Sequence, residues 1–214
     1  LPILEAFADA SFDFVYIDPP FNTGKTQRHT RTTSKVDPEG NRVGFGGRRY
    51  QSEKKAGAAY QDSFSDFEAF LWPRLKEAKR ILKTDGSLFL HIDYREAHYC
   101  KVMLDHLFGR DHFLNEIIWA YDYGGRSKKR WSTKHDSLFW YVRDPKNYTF
   151  NFADMDRIPY MAPGLVGKEK AARGKTPTDV WWHTIVPTNG KERVGYPTQK
   201  PLGLIERIIK VHTR

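Results

Sequence analysis

The sequence predicts an α/β fold built on a mainly parallel, twisted sheet. Three observations lead there. Compact apolar runs of strand length alternate with segments whose apolar residues recur every three to four positions. The clearest run, Phe12-Asp13-Phe14-Val15-Tyr16-Ile17, is apolar and aromatic nearly throughout, as a strand buried on both faces requires. The chain has 214 residues, 39% hydrophobic and 14% aromatic, enough to fill the core of one domain, with or without a small insert.

The elements follow in order. FDFVYI (12–17) runs into Asp18-Pro19-Pro20, where two prolines end the ladder. Residues 22–57 hold six glycines, nine Lys/Arg and three acids with little apolar periodicity. They are expected to form a long basic loop, mobile without a partner. From 64 to 82, Phe64, Phe67, Leu71, Leu75, Ala78 and Leu82 share one helical face, with Asp62 or Ser63 as cap. Pro73 inside this pattern kinks the helix or marks its true start. Thr84-Asp85-Gly86 reads as a turn into the strand SLFLHI (87–92). Asp93 is the expected cap of a helix that turns Ala97, Cys100, Leu104 and Leu107 inward and ends at Gly109. NEIIWAY (115–121) and SLFWYV (137–142) are two further strands, joined by a glycine-rich and then basic stretch. From 144 to 196 the periodicity weakens, with Trp181, Trp182 and Tyr196 among Pro, Gly, Lys and Arg. Lys200 to Arg214 reads as a helix with Pro201 at its first position and a stripe of Leu202, Ile205 and Ile209, widened by Leu204, Ile208 and Val211. No stop signal follows it, and the chain opens on Leu1, so both ends are expected to be those of a segment from a longer protein.

Composition narrows the function. No apolar run approaches the roughly 18 residues that span a bilayer, and the first residues lack a basic n-region, so neither membrane segment nor signal peptide is expected and a cytoplasmic setting is. The single cysteine, Cys100, excludes a disulfide framework and any multi-cysteine metal site. The eight histidines show no ligand spacing, so no metal is expected. A net charge of +9 favours a polyanionic partner.

The segment that carries chemistry is Asp18-Pro19-Pro20-Phe21. In open α/β sheets ligands bind at the carboxyl ends of strands. Two prolines hold φ and donate no N–H, leaving nearby carbonyls rigid and able to accept. A carboxylate and an adjacent carbonyl can grip both hydrogens of a planar exocyclic amine while the Phe21 ring stacks on its heterocycle. Two such acceptors return electron density to a delocalised amine nitrogen, which can then attack an electrophilic methyl group. A plain strand end with a turn would also carry a bare Asp-Pro-Pro; the strand before it and the aromatic after it favour the chemistry.

The run FDFVYIDPPFNTGK resembles the catalytic motif of DNA amino-methyltransferases, the N6-adenine and N4-cytosine family. FLWPRLKEAKRILKTDGSLFLHIDYREAHYCKVMLDHLFG is similar to the helix–strand–helix that follows that motif. NEIIWAYDYGGRSKKRWSTKHDSLFWYVRD resembles the next two strands, and VGYPTQKPLGLIERII the helix before the family's glycine-rich cofactor motif. The order is that of the beta class. The resemblance implies a Rossmann-like methyltransferase fold over 1–214, with a target-recognition region at about 144–196. It implies S-adenosylmethionine as cofactor, double-stranded DNA as partner and a prokaryotic or phage source. A homodimer and a cognate restriction endonuclease are further partners it allows. Asp18 would orient the amine and border the cofactor, the Pro19 carbonyl would take the second hydrogen, Pro20 would stiffen the turn and Phe21 would stack on the flipped base. Thr198, Gln199, Lys200 and Pro201 resemble the cofactor-side motif. Asp rather than Ser at position 18 leans toward adenine. One departure stands out: no strand followed by F-x-G-x-G occurs, so the fold and the cofactor site are expected to be incomplete in this chain.

Other candidates are weaker. Gly24-Lys25-Thr26 resembles the end of a Walker A loop, but Pro19 occupies its first glycine position. Cys100 lies inside a helical pattern and reads as a core residue. His91 and Asp93 share a strand face near its carboxyl end and could border the site. Arg126, Lys128, Lys129, Arg130 and Lys134, beside Trp131, and Arg48, Arg49, Lys54 and Lys55 in the 22–57 segment are expected to contact phosphates on the edge that carries Asp18. Trp181 and Trp182, with Lys191 to Arg193, serve target reading or minor core packing equally well. N4-cytosine methylation, a non-catalytic DNA-binding module without the cofactor half, and methylation of RNA or protein amides remain alternatives. Asp18 counts against the last, whose enzymes usually carry Asn there.

Overall fold

The computed structural model describes residues 1–187, 190–196 and 198–214; the side chains of 28–32, 45 and 54–58 lie outside the described set. In chain order the elements are α1 (Pro2–Glu5), β1 (Phe12–Ile17), β2 (Lys25–Val36), β3 (Arg42–Val43), β4 (Arg49–Asp62), α2 (Phe67–Ile81) and β5 (Leu82–Ile92). Then come α3 (Ala97–Phe108), β6 (Phe113–Ala120), β7 (His135–Val142), α4 (Lys168–Arg173), β8 (Val180–Trp182) and α5 (Leu202–His212). Leu1–Asn22, Phe64–Ile185 and Lys200–Arg214 form one compact unit; Thr23–Ser63 and Val186–Gln199 form a second.

The first unit carries, among the described residues, a five-stranded sheet in the order β1-β5-β7-β6-β8. β1 pairs parallel to β5 and β6 parallel to β8, while β7 runs antiparallel to both β5 and β6. Four strands thus point one way and β7 alone is reversed, because β6 and β7 are joined as a hairpin. Side chains alternate between faces. Leu88, Leu90, Ile92, Phe139 and Tyr141 pack with Leu71, Leu75 and Ala78 of α2 and with Cys100 and Leu104 of α3. Phe89, Leu138 and Trp140 point the other way, with Ile117, Trp119, Trp181 and the α5 residues Leu204 and Ile208.

Several boundaries differ from expectation. The α2 cap is Asp66, whose carboxylate accepts from the Ala69 N–H at 2.8 Å, rather than Asp62 or Ser63. The donating N–H lies three positions after the cap, the usual N-cap spacing. Pro73 sits within α2, which runs continuously past it. Thr84-Asp85-Gly86 is not a turn between elements. Phe12 pairs with Leu82 and Phe14 with Ser87, so these residues bulge from one continuous strand. A Cβ on Gly86 would lie 2.9 Å from the Asp13 carbonyl oxygen, so the bulge admits only glycine. Asp93 caps no helix directly: its carboxylate accepts from the Arg95 N–H at 3.0 Å, in the turn that precedes α3. In α5 the buried face is Leu204, Ile208 and Val211, while Leu202 and Ile209 of the expected stripe are exposed. Cys100 is a core residue, and burial pushes its thiol up to about 12.

The second unit overturns the loop expected at 22–57. β2 and β4 form a long antiparallel ladder from Lys25↔Asp62 to Val36↔Tyr50, and β3 pairs with β4. The run KTQRHTRTTSKV is rich in β-branched threonine, which suits a pleated surface. Asp37-Pro38-Glu39-Gly40 makes the first turn: the Gly40 N–H donates to the Asp37 carbonyl at 3.0 Å, and the Asp37 carboxylate accepts from the Glu39 N–H at 2.9 Å. A Cβ on Gly40 would meet the Tyr50 backbone at 2.1 Å. Asp62 is buried at the far end, where its carboxylate accepts from the Thr23 hydroxyl at 2.5 Å. Tyr196 stacks on Tyr60 of β4 with ring centroids 6.4 Å apart.

Candidate active site

β1 ends at Ile17, so Asp18 leaves the sheet at the carboxyl end of an edge strand, where open α/β sheets bind ligands. Both its oxygens accept from the Lys200 ammonium at 2.7 Å. The pair is largely shielded: side-chain exposure is 12% for Lys200 and 24% for Asp18. Lys200 directly precedes Pro201, which takes the N-cap position of α5 rather than its expected first helical position. Its ammonium also lies 5.0 Å from the Phe21 ring centroid, a cation–π contact. An ionised carboxylate has about four acceptor positions, so two remain when a lysine takes one on each oxygen.

The segment after Asp18 is held in place. Asn22 adopts φ 53°, a left-handed conformation that asparagine tolerates better than most residues. Its side-chain amide donates to Glu96 at 2.8 Å, and its carbonyl accepts from the Phe64 N–H at 2.9 Å. Asn22 was absent from the candidate residues, although an Asn directly after the motif is a readable left-handed signal.

Beneath the motif lies a buried polar chain. His91, with no exposed surface, meets the Tyr16 hydroxyl through Nδ1 at 2.5 Å and Asp136 through Nε2 at 3.0 Å. The second Asp136 oxygen accepts from the Tyr121 hydroxyl at 3.2 Å. Burial pushes the Tyr16 phenol far up, aided by the charges of Asp18 and Asp136. Burial likewise pushes His91 down, against its hydrogen bond to Asp136, which favours its charged form. Burial and the Asp136 charge raise Tyr121. His91 was an expected border residue; Tyr16, Tyr121 and Asp136 were not foreseen.

Phe21 also lines a polar cavity of about 420 Å³ with Asp93, Tyr94, Arg95, Tyr121 and Arg130. Of the basic residues expected nearby, Arg126 pairs with Asp122 at 2.9 Å, and Arg130 donates to the Tyr94 hydroxyl at 3.3 Å. Lys134 is used within the β6–β7 connection, donating to the Tyr123 and Gly125 carbonyls at 2.6 and 2.8 Å. Lys128 and Lys129 are exposed, as is Trp131. Trp181 is buried core and Trp182 is exposed, which separates two residues the sequence left together. In the second unit Arg48 and Arg49 are exposed, while the side chains of Lys54 and Lys55 lie outside the described residues. Thr198 Oγ lies 3.4 Å from the Tyr60 hydroxyl, and Gln199 closes its own loop, accepting from the Val194 N–H and donating to the Glu192 carbonyl, both at 2.8 Å. Among the described residues no cluster of His, Cys, Asp or Glu suits a metal ion, and no helix is long and apolar enough to cross a membrane.

Comparison with known proteins bears on this geometry. A family model described as DNA methylase matches residues 12–214. The chain is 28% identical over 206 residues to the Type II methyltransferase M.HpaI of Haemophilus parainfluenzae, across 96% of this chain and 55% of that protein. It is 27% identical over 212 residues to the DNA adenine methyltransferase YhdJ of Escherichia coli K12, across 93% of this chain and 60% of that protein. The chain thus spans little more than half the length of these relatives. Among solved structures, the PvuII DNA methyltransferase (cytosine-N4-specific) superposes with a TM-score of 0.57 at 12% identity, across 99% of this chain and 67% of that one, a likeness of fold.

Proposed function

Since the chain belongs to the DNA methylase family, with its N6/N4 amino-methyltransferases, we propose that it serves site-specific methylation of DNA on the exocyclic N6 amine of adenine, with S-adenosylmethionine as donor. The observation that carries this reading is Asp18, held at the carboxyl end of β1 with Phe21 beside it on the rim of a polar cavity.

A target amine inside a duplex is out of reach, so the adenine must be extruded into the cavity, where Phe21 stacks on its ring. The Asp18 carboxylate accepts one amine hydrogen and the Pro19 carbonyl the other, and Pro20 keeps the turn rigid. These acceptors would raise electron density on the nitrogen; as the nitrogen–carbon bond forms, the carbon–sulfur bond would break to leave a neutral thioether, and the amine would release one proton to solvent. Lys200 holds the Asp18 carboxylate by both oxygens and fixes its orientation toward the amine. S-adenosylmethionine, when bound, supplies an electrophilic methyl group on a sulfonium sulfur. The donor set fits its amino-acid end, since Lys200 and Asp18 offer the opposite charges that a carboxylate and an ammonium pair with. Thr198, Gln199 and Pro201 adjoin Lys200 in sequence and are assigned to the same role. Arg126, Lys128, Lys129 and Arg130 are assigned to phosphate contact, as are Arg48, Arg49, Lys54 and Lys55 on the second unit. The segment 144–196 is assigned to target reading. A cytoplasmic setting, a homodimer and a cognate endonuclease remain part of the same proposal.

The test is transfer of labelled methyl groups to DNA by the full-length protein, followed by digestion to nucleosides and chromatography. N6-methyladenine at a defined sequence is expected. N4-methylcytosine alone would overturn the adenine assignment. DNA binding without any methyl incorporation would overturn catalysis and favour a binding module.

A further inference from the structure

We propose that His91, oriented by Asp136, is a positioning residue of the methyl-transfer site, clamping the catalytic motif from below on both sides of Asp18. The proposal rests on the reading of Asp18 given above. His91 holds Tyr16, two residues before Asp18, through Nδ1. Its ring packs on Phe21, three residues after Asp18, with centroids 5.6 Å apart. One buried ring therefore sets the spacing between the carboxylate that grips the amine and the ring that stacks on the base.

The sheet dictates this convergence. His91 pairs with Leu138 across β5 and β7, so Asp136 is its diagonal neighbour on the same face. Tyr16 pairs with Phe89 across β1 and β5, which makes His91 its diagonal neighbour in turn. The ionised Asp136 accepts from Nε2–H, which leaves the Nδ1 lone pair to accept the Tyr16 hydroxyl proton. A histidine fixed by a carboxylate on one nitrogen presents the other in a single tautomer. The groups facing His91 are Tyr16 and Asp18 from β1 and its end, Asp136 from β7, the Trp119 ring from β6 and Lys200 ahead of α5. Tyr121, from the end of β6, acts through Asp136. The cavity beside Phe21 is lined by both Asp136 and Tyr121, so the clamp extends to the wall where the base would enter.

The experiment is steady-state and single-turnover methylation by Asp136→Asn and Tyr16→Phe across pH 5 to 9, with Asp18→Ala in parallel. Loss of the clamp misplaces the motif, so kcat is expected to fall about 10- to 100-fold while KM for DNA stays within about threefold. The Asp136 contact favours protonated His91, so its loss moves the acid limb of kcat to lower pH, which a purely structural role would not do. A smaller kcat loss is expected in Tyr16→Phe, together with a lowered melting temperature, because the buried His91 Nδ1 loses its partner. His91→Gln keeps a donor and an acceptor and should retain more activity than His91→Leu. Wild-type kcat with an unmoved acid limb in Asp136→Asn overturns the clamp. So does equal activity of His91→Gln and His91→Leu. Near wild-type transfer by Asp18→Ala would instead overturn the reading beneath it, so the two failures are separable.

Discussion

The two faces of the central sheet are built for different tasks. The face under α2 and α3 is closed by Leu71, Leu75, Ala78, Leu88, Leu90 and Leu104, each without exposed surface. Its sole buried thiol, Cys100, does not ionise in the working range. The face under α5 is aromatic and interrupted by buried polar groups, His91, Asp136 and His212, with Asp18 and Lys200 at its carboxyl edge. Apolar burial without polar cost belongs to the first face. The second accepts desolvated histidines and a carboxylate, which are expensive to bury unless paired. The difference teaches that fold stability and site geometry can be perturbed separately.

The largest expected effect is on the first face. Leu75→Ala should lower unfolding free energy by about 2–5 kcal/mol through lost burial and a residual cavity. Denaturant titration measures it, and the rate per folded molecule should stay unchanged. A lowered rate at full folding would break the division between faces.

A smaller effect sharpens the other side. Burial pushes His212 down to about 4, among the rings of Phe89, Trp140 and Phe150. As pH falls below the ordinary histidine value, the unfolded chain takes up the proton first. Stability from this group is therefore present above about pH 6.5 and is lost as pH falls toward 4. Between pH 7 and pH 5 the wild type should lose about 2 kcal/mol more than His212→Phe. Equal acid sensitivity of the two proteins would remove His212 from the account.

What the sequence reveals depends on burial. β1 and the core of β5 were legible because a strand covered on both faces is a continuous apolar run, and α2 because its buried positions recur at 3.6. β2 and β4 were not, since strands whose described side chains are mostly exposed carry no apolar period, and their threonines and arginines look like loop. The α5 face was misjudged for the opposite reason. Leu202, Ile205 and Ile209 and Leu204, Ile208 and Val211 both satisfy helical spacing, and only packing chooses between them. The place of Asp18 just past the end of β1 could be read from the apolar run and the prolines that stop it. The His91–Asp136 contact joins residues 45 apart in sequence, and nothing local marks it.

The central claim is that Asp18 grips the amine. Single-turnover methyl transfer by Asp18→Ala in the full-length protein tests it most directly, with melting temperature and DNA affinity measured on the same preparation. Loss of one charged contact in a closed site should slow transfer by about 30- to 1000-fold, or about 2–4 kcal/mol, with DNA affinity nearly unchanged and a lower melting temperature from loss of the shielded Lys200 pair. Transfer at close to the wild-type rate would contradict the account.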